Sequence, residues 1–461
     1  MYCQRNFLAR LFLCFVFYSN GLQHDIPRDK RYVENKNGIT NNVFEHARTD
    51  TKLSFITNSG ICETTPGVNQ YSGYLTVNET LNMFFWFFES RNSPTTSPLV
   101  MWFNGGPGCS SMIGLFVENG PCHFVDGNPD PVINPFSWNT VANMLYIDQP
   151  GETGFSYGSN TISSTQNAST ILWTFMQVFY DAFPQYYLNR NFSLFTESYG
   201  GHFGPQFALD FLNKNDLIDK GLLTGSRKIN LVSLAINNAW LDPVTQYKSY
   251  LDFALNNTYR QLINQPDYVK GIAKYEKDCY PIIQECTSTT GSAEDCAGAS
   301  GNCYEATAWL VEEMNLDKTF NQYDIRLSAE DTVPPNIYEE YLNRKEVKQA
   351  IGVPGEMGFV ACLGSINDRF LEEGDQARSF LGELGEVVQA GVRVLLWAGD
   401  ADWICNWMGN LKVAEGVEFE GREMFLREEV GLFTVGGKVY GEFKGVDGLS
   451  WLRVYDSGHM V

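Results

Sequence analysis

Short apolar runs bounded by glycine, asparagine or proline recur along this chain from Tyr71: YSGYLTV from Tyr71, NMFFWFFES from Asn82 and PLVMWF from Pro98. Runs of this length with such borders predict strands, the first two a meander turning at Asn78-Glu79. Leu99 to Phe103 is apolar at every position, as in a strand covered on both faces. Further runs occupy 142–148, 192–196, 230–236 and 392–399. Between them lie stretches of helical period, 169–183 and 205–213, the second predicted to start near Gly204-Pro205. Strands alternating with helices predict an α/β fold, a mixed, mostly parallel sheet with helices on both faces.

The rhythm is interrupted once. Residues 243–353 carry aromatics, charges and four cysteines instead of strand–helix units, and predict a largely helical cap inserted between two parts of the core, 51–242 and 354–461. At the other end, Arg5 and Arg10 precede or border the apolar run Leu11–Tyr18, with Ser19 and Gly21 as small residues after it. That is the layout of a secretory signal, expected at 1–21 and too short to span a bilayer. Residues 22–50 are polar, with a dibasic Lys30-Arg31, and read as a solvated linker or a propeptide.

Charge and cysteines narrow the function. A formal net charge of −21 repels phosphate backbones and anionic lipid, which argues against nucleic-acid partners and, after signal cleavage, membrane partners. Beyond Cys3 and Cys14 in the signal, nine cysteines remain, an odd number that predicts four bridges and one free thiol in an oxidising compartment. N-x-S/T acceptors at Asn78, Asn167, Asn191 and Asn256 are candidate glycosylation sites. The expected location is secreted, vacuolar or lysosomal.

The candidate chemistry sits at strand ends. FSLFT leads into Thr196-Glu197-Ser198-Tyr199-Gly200-Gly201 and a helix leads out, the context of a nucleophile elbow in which Thr196 replaces the first glycine of G-x-S-x-G. A serine hydroxyl needs a base, and the base needs an orienting acid. Of five histidines, His24 and His46 lie in the polar N-terminal segment, His123 follows Cys122 in a Gly/Pro loop, and His202 shares the turn of Ser198. His459, just past WLRVY, is the candidate base. The strand VRVLLWAG delivers two candidate acids, Asp400 and Asp402, completing the Ser…Asp…His order of α/β-hydrolases. The loop Asn104-Gly105-Gly106-Pro107-Gly108 after Leu99–Phe103 is placed to supply oxyanion donors together with the amide following the serine.

WFNGGPGCSS (102–111), ENGP (118–121), DQPGETGFSYG (148–158), TESYGG (196–201), AGDADWICNW (398–407) and SGHMV (457–461) together resemble the serine carboxypeptidase family, of the fungal carboxypeptidase Y-like type. The resemblance implies the α/β-hydrolase fold, an acyl-enzyme peptidase acting on peptide and protein C-termini, and no cofactor or metal. It selects Asp402 over Asp400, assigns the oxyanion amides to Gly106 and Tyr199, and places Asn104, Glu118 and Glu197 on the substrate carboxylate. Like charges in contact raise one another's pKa, so at least one member of such a cluster must hold a proton, which predicts activity at acidic pH. The resemblance also pairs Cys109 with Cys362. The spacing of the cap cysteines suggests Cys279–Cys303 around Cys286–Cys296, leaving Cys62 with Cys122 and Cys405 as the free thiol near the site. Two alternatives belong here: an acyltransferase, disfavoured because Glu197 rather than Asp precedes the serine, and an inactive scaffold. The family pattern continues past the histidine, so the C-terminus at Val461 reads as truncated.

Overall fold

The computed structural model describes residues 28–461 apart from 37, 79, 126, 159–160, 189, 288–291, 309–310, 312 and 314–319. The expected signal lies outside them. Fifteen strands are described: β1 (Lys30–Lys36), β2 (Ile39–His46), β3 (Thr51–Thr57), β4 (Gln70–Thr76), β5 (Asn82–Phe88), β6 (Leu99–Phe103), β7 (Cys122–His123), β8 (Val132–Ile133), β9 (Asn143–Ile147), β10 (Phe192–Glu197), β11 (Leu231–Asn237), β12 (Arg393–Gly399), β13 (Gly431–Val435), β14 (Lys438–Val446) and β15 (Leu449–Val454). All but β7 and β8 join one sheet in the order β1-β2-β3-β4-β5-β9-β6-β10-β11-β12-β15-β14-β13. The strands β9, β6, β10, β11, β12 and β15 run parallel; antiparallel pairs flank them on both sides.

The unbroken apolar run of β6 follows from its position. Leu99, Met101 and Phe103 enter one core with the helices α1 (Thr165–Ala182) and α2 (Gly200–Asp219), while Val100 and Trp102 enter the core on the opposite face. Successive side chains of a strand alternate faces, so a strand covered twice has no polar position. A mostly parallel sheet of this order, with helices on both faces, is the α/β-hydrolase architecture.

Two expectations are corrected. Residues 30–46 are not a solvated linker: β1 and β2 extend the sheet edge, with Arg31 donating to the Asp181 and Ala182 carbonyls at the end of α1 (2.9 and 2.7 Å). Their polar sequence belongs to an edge, where one side of the ribbon meets water. Second, α2 starts at Gly200 rather than near Pro205, which lies inside it. So close to the helix start, a proline removes one intrahelical hydrogen bond without breaking the helix.

The interrupted region folds as α3 (Pro243–Asn256), α4 (Gln265–Lys274), α5 (Tyr280–Cys286) and α6 (Ala293–Ala306), which share a separate apolar core with Ala401 and Trp403. Its tail behaves differently: Tyr338, Tyr341, Leu342, Val347 and Ile351 pack into the core beneath the main sheet. Disulfides join Cys279–Cys303 and Cys286–Cys296 within this region, and Cys62–Cys122 and Cys109–Cys362 elsewhere. Cys405 is free and buried.

Candidate active site

The carboxyl ends of the parallel strands meet at one rim, where loops leave the sheet and backbone groups become available. Ser198 stands between β10 and α2 with φ +61°, a left-handed conformation that is strained for any residue but glycine. The strain is held by three backbone hydrogen bonds: Ser198 N–H donates to Asn237 C=O (2.9 Å), and Ser198 C=O accepts from Gly201 (2.9 Å) and Trp240 (2.8 Å). Crowding explains the neighbouring glycines; a Cβ on Gly201 would lie 2.3 Å from the Trp240 carbonyl oxygen. Thr196, the departure from the usual first glycine, is buried and donates its hydroxyl to Gly200 C=O (3.0 Å).

His459 Nδ1 lies 2.8 Å from Asp402 Oδ2. Asp402 is fully buried and also accepts from Asn238 Nδ2 (2.6 Å), Ile404 N (3.1 Å) and Cys405 N (3.2 Å). Burial raises its carboxyl, and the hydrogen bonds and His459 limit the rise. Burial opposes protonation of His459, but the charge and hydrogen bond of Asp402, followed by Glu197, raise the imidazole above its ordinary value. Asp400 turns elsewhere, accepting from Tyr259 Oη (2.5 Å) and pairing with Arg453 (3.4 Å). With Nδ1 engaged, His459 leaves Nε2 for the cleft of about 440 Å³ that it lines with Ser198, Gly106 and Glu197. No hydrogen bond joins Ser198 to His459 among the described residues, and the buried Cys405 thiol stands beside Asp402 and His459. Burial, then the charges of Asp402 and Glu197, push that thiol well up, so it stays neutral.

Gly106, at φ +106°, opens toward the same cleft, and neither its N–H nor that of Tyr199 donates to a protein acceptor among the described residues. Gly105 brings this loop against the elbow, since a Cβ there would sit 2.3 Å from Tyr199 N. The loop and the elbow therefore present two unclaimed amides near one serine.

Asn104 gathers the acidic groups. Its Oδ1 accepts from Trp102 Nε1 and Gly114 N (both 2.9 Å), which fixes the amide's orientation. Its Nδ2 donates to Glu118 Oε1 (2.9 Å) and Glu197 Oε1 (3.0 Å). Burial, then the charge of Glu197 and a hydrogen bond between the two carboxyls, lift the Glu118 carboxyl well above the carboxylate range.

The structure thus brings Ser198, Asp402, His459, Gly106, Tyr199, Asn104, Glu118, Glu197 and Cys405 to one rim. Asn78, Asn167, Asn191 and Asn256 lie apart from it on the exposed surface. His202 is buried beneath the elbow with Nδ1 2.6 Å from Trp240 O, and His46 is bound to Asp181 at the sheet edge. Sequence reasoning missed Asn237 and Asn238. Asn237 Nδ2 donates to Glu197 Oε2 (3.2 Å) and His459 O (3.0 Å), tying two parts of the site together. The signal was there: two asparagines ending an apolar strand at the ligand-binding rim. Tyr323, whose carbonyl accepts from His459 N (2.8 Å), comes from an irregular stretch without such a signal.

A serine at a strained strand–helix turn, with a buried Asp–His pair beside two open amides, defines a serine hydrolase of the α/β-hydrolase class. The Serine carboxypeptidase family profile matches residues 60–461, and the chain belongs to that family of serine-type peptidases. Carboxypeptidase S1 of Penicillium janthinellum is 48% identical over 407 residues, covering 88% of this chain and 94% of that protein. Carboxypeptidase Y of Schizosaccharomyces pombe is 37% identical over 404 residues, 86% of this chain and 39% of that protein. Among solved structures, Kex1(delta)p, a prohormone-processing carboxypeptidase from Saccharomyces cerevisiae, superposes with a TM-score of 0.72 at 25% identity, covering 85% and 88% of the two chains.

Proposed function

We propose that this cleft removes the C-terminal residue of peptides and proteins and binds that end best at acidic pH, with Ser198 as nucleophile, His459, in its neutral form, as base and Asp402 as its orienting acid. His459 Nε2 takes the hydroxyl proton as the Ser198 Oγ–carbon bond forms, and the resulting oxyanion accepts from the Gly106 and Tyr199 amides. The imidazolium then gives its proton to the departing amine as the peptide bond breaks. Water attacks the acyl-enzyme, losing a proton to His459, and the imidazolium returns that proton to Ser198 Oγ as the ester bond breaks and the acid leaves. The serine hydroxyl must turn to the imidazole for the first step, an alignment that substrate commonly completes.

The observation that carries the choice of substrate end is the Asn104 amide clamped between Glu118 and Glu197, the latter adjacent to Ser198. An arriving carboxylate displaces one glutamate oxygen from Asn104 and accepts a hydrogen bond from the protonated Glu118. That pair holds its proton on the acid side and loses it as pH rises, because Glu118 is lifted by burial and by Glu197. KM for a peptide acid should therefore rise from acid to neutral pH, by up to about tenfold per unit above the coupled titration, since one bound proton is lost. A KM constant over that range would contradict the paired-acid account. N-blocked dipeptides should release their terminal amino acid when offered as free acids and stay intact as amides; equal cleavage of both would remove the carboxylate from the reading.

Passage through the secretory route is part of the same proposal. Its support is the apolar segment at Leu11–Tyr18, four disulfides and the exposure of all four N-x-S/T asparagines. Among the described residues no helix is long and apolar enough to cross a membrane.

A further inference from the structure

Asp148 is a fully buried carboxyl that no step above uses. It follows the last residue of β9, and its backbone is anchored there: Asp148 N donates to Phe84 O (3.0 Å), and Ser156 Oγ donates to Asp148 O (2.7 Å). Its side chain reaches two loops at once. Oδ1 accepts from Ser110 Oγ (2.5 Å) and Ser111 N (3.1 Å), and Oδ2 accepts from Phe155 N (2.9 Å). Ser111 Oγ donates to Ile147 O (2.5 Å), bolting the same residue to the end of β9. Gly154 makes room for this arrangement, since a Cβ there would lie 2.3 Å from Asp148 Oδ2 and 2.8 Å from Ser110 Oγ. Burial raises the carboxyl to about 7 against the pull of Ser110, Phe155 and Ser111. The titratable side chain packed beside it is Tyr74 of β4, whose hydroxyl donates to Phe155 O (3.2 Å).

Ser110 and Ser111 end the turn that carries Gly106. Cys109 N donates to Gly105 O (3.1 Å), so residues 105–109 form a closed turn. On its far side the turn is held by the Cys109–Cys362 disulfide and by Ser110 N donating to Ala361 O (2.7 Å). Those bonds tether the turn to residues 361–362; Asp148 fixes it to the sheet, which also carries Ser198. The relation between the Gly106 amide and the serine is the quantity an oxyanion donor depends on, and displacement on the order of 1 Å costs about 100-fold in rate.

We propose that Asp148 is a positioning residue that holds the Gly106 amide in register with Ser198 by clamping the turn of residues 105–111 to the end of β9. The proposal rests on the reading of Gly106 as an oxyanion donor. Asn104 keeps its own anchors, Trp102 and Gly114, so recognition of the substrate carboxylate is separate from the clamp.

The test uses the full chain as wild type, D148A, D148N and S198A, with active sites titrated by a fluorophosphonate and kcat expressed per titrated site. D148A should lose about 100-fold in kcat per site with KM within about threefold. D148N should lose about tenfold, because an amide can serve Ser110 and Phe155 but turns an N–H against Ser111 N–H. A residue that only supported folding would lower the titrated fraction and the melting temperature and leave kcat per site unchanged. If D148A does not fold, D148N decides. Values within twofold of wild type for the folded variants would overturn the clamp. Wild type that cannot be titrated at Ser198, or S198A that can, would overturn the underlying site reading instead, and the two failures are distinguishable.

Discussion

Replacing Ser198 with alanine should reduce kcat for a peptide acid by about 10⁵- to 10⁶-fold, leaving only the rate that oriented binding and the open amides sustain. The substitution removes one oxygen and spares the backbone bonds to Asn237, Gly201 and Trp240 that hold the turn. It also spares Asn104 and both glutamates, so the substrate's end should still bind, and inhibition by a competing peptide acid should be unchanged. Release of the terminal amino acid, followed by mass spectrometry over hours, checks this. Retention of even a hundredth of the wild-type rate would mean that another group attacks the carbonyl.

The second large effect belongs to Asp402. In D402N the amide oxygen is best placed at the Oδ2 position, where His459, Asn238 and Cys405 all present donors, with the NH₂ turned toward the single donor Ile404 N. That orientation keeps the imidazole in place and removes the charge. We expect kcat to fall by about 10³- to 10⁴-fold. The pH profile should change with a definite sign: Asp402 raises the His459 pKa, so its loss lowers it, and the acid limb of kcat/KM should move to lower pH. A limb that stays put, or moves up, would show that another group titrates there.

What the sequence made legible follows from where the constraints are strongest. Strands covered on both faces, such as β6, announce themselves by having no polar position, and the loops leaving them carry the glycines and the serine that a crowded rim requires. Edge strands gave no such signal. KRYVENK in β1 satisfies its backbone on one side only and tolerates charges, so it resembles a linker until its pairing with β2 is seen. Within the site, spacing alone left Asp400 and Asp402 equivalent. They are separated by partners far away in sequence, Tyr259 and Arg453 for one and Asn238 and His459 for the other. Tyr323 was invisible for a related reason: it acts through its backbone carbonyl, and a carbonyl leaves no trace in residue identity.

Convergence of Ser198, Asp402 and His459 on one reacting centre is the claim on which the rest depends. Its most direct test is to label the wild-type protein with a fluorophosphonate and map the modified residue by peptide mass spectrometry, alongside D402N and H459A. The account predicts a single adduct on Ser198 in wild type, formed at least about 100-fold more slowly in both variants, because general-base assistance contributes rate factors of that order or more. An adduct on another residue, or Ser198 labelled at the same rate without the imidazole, would contradict it.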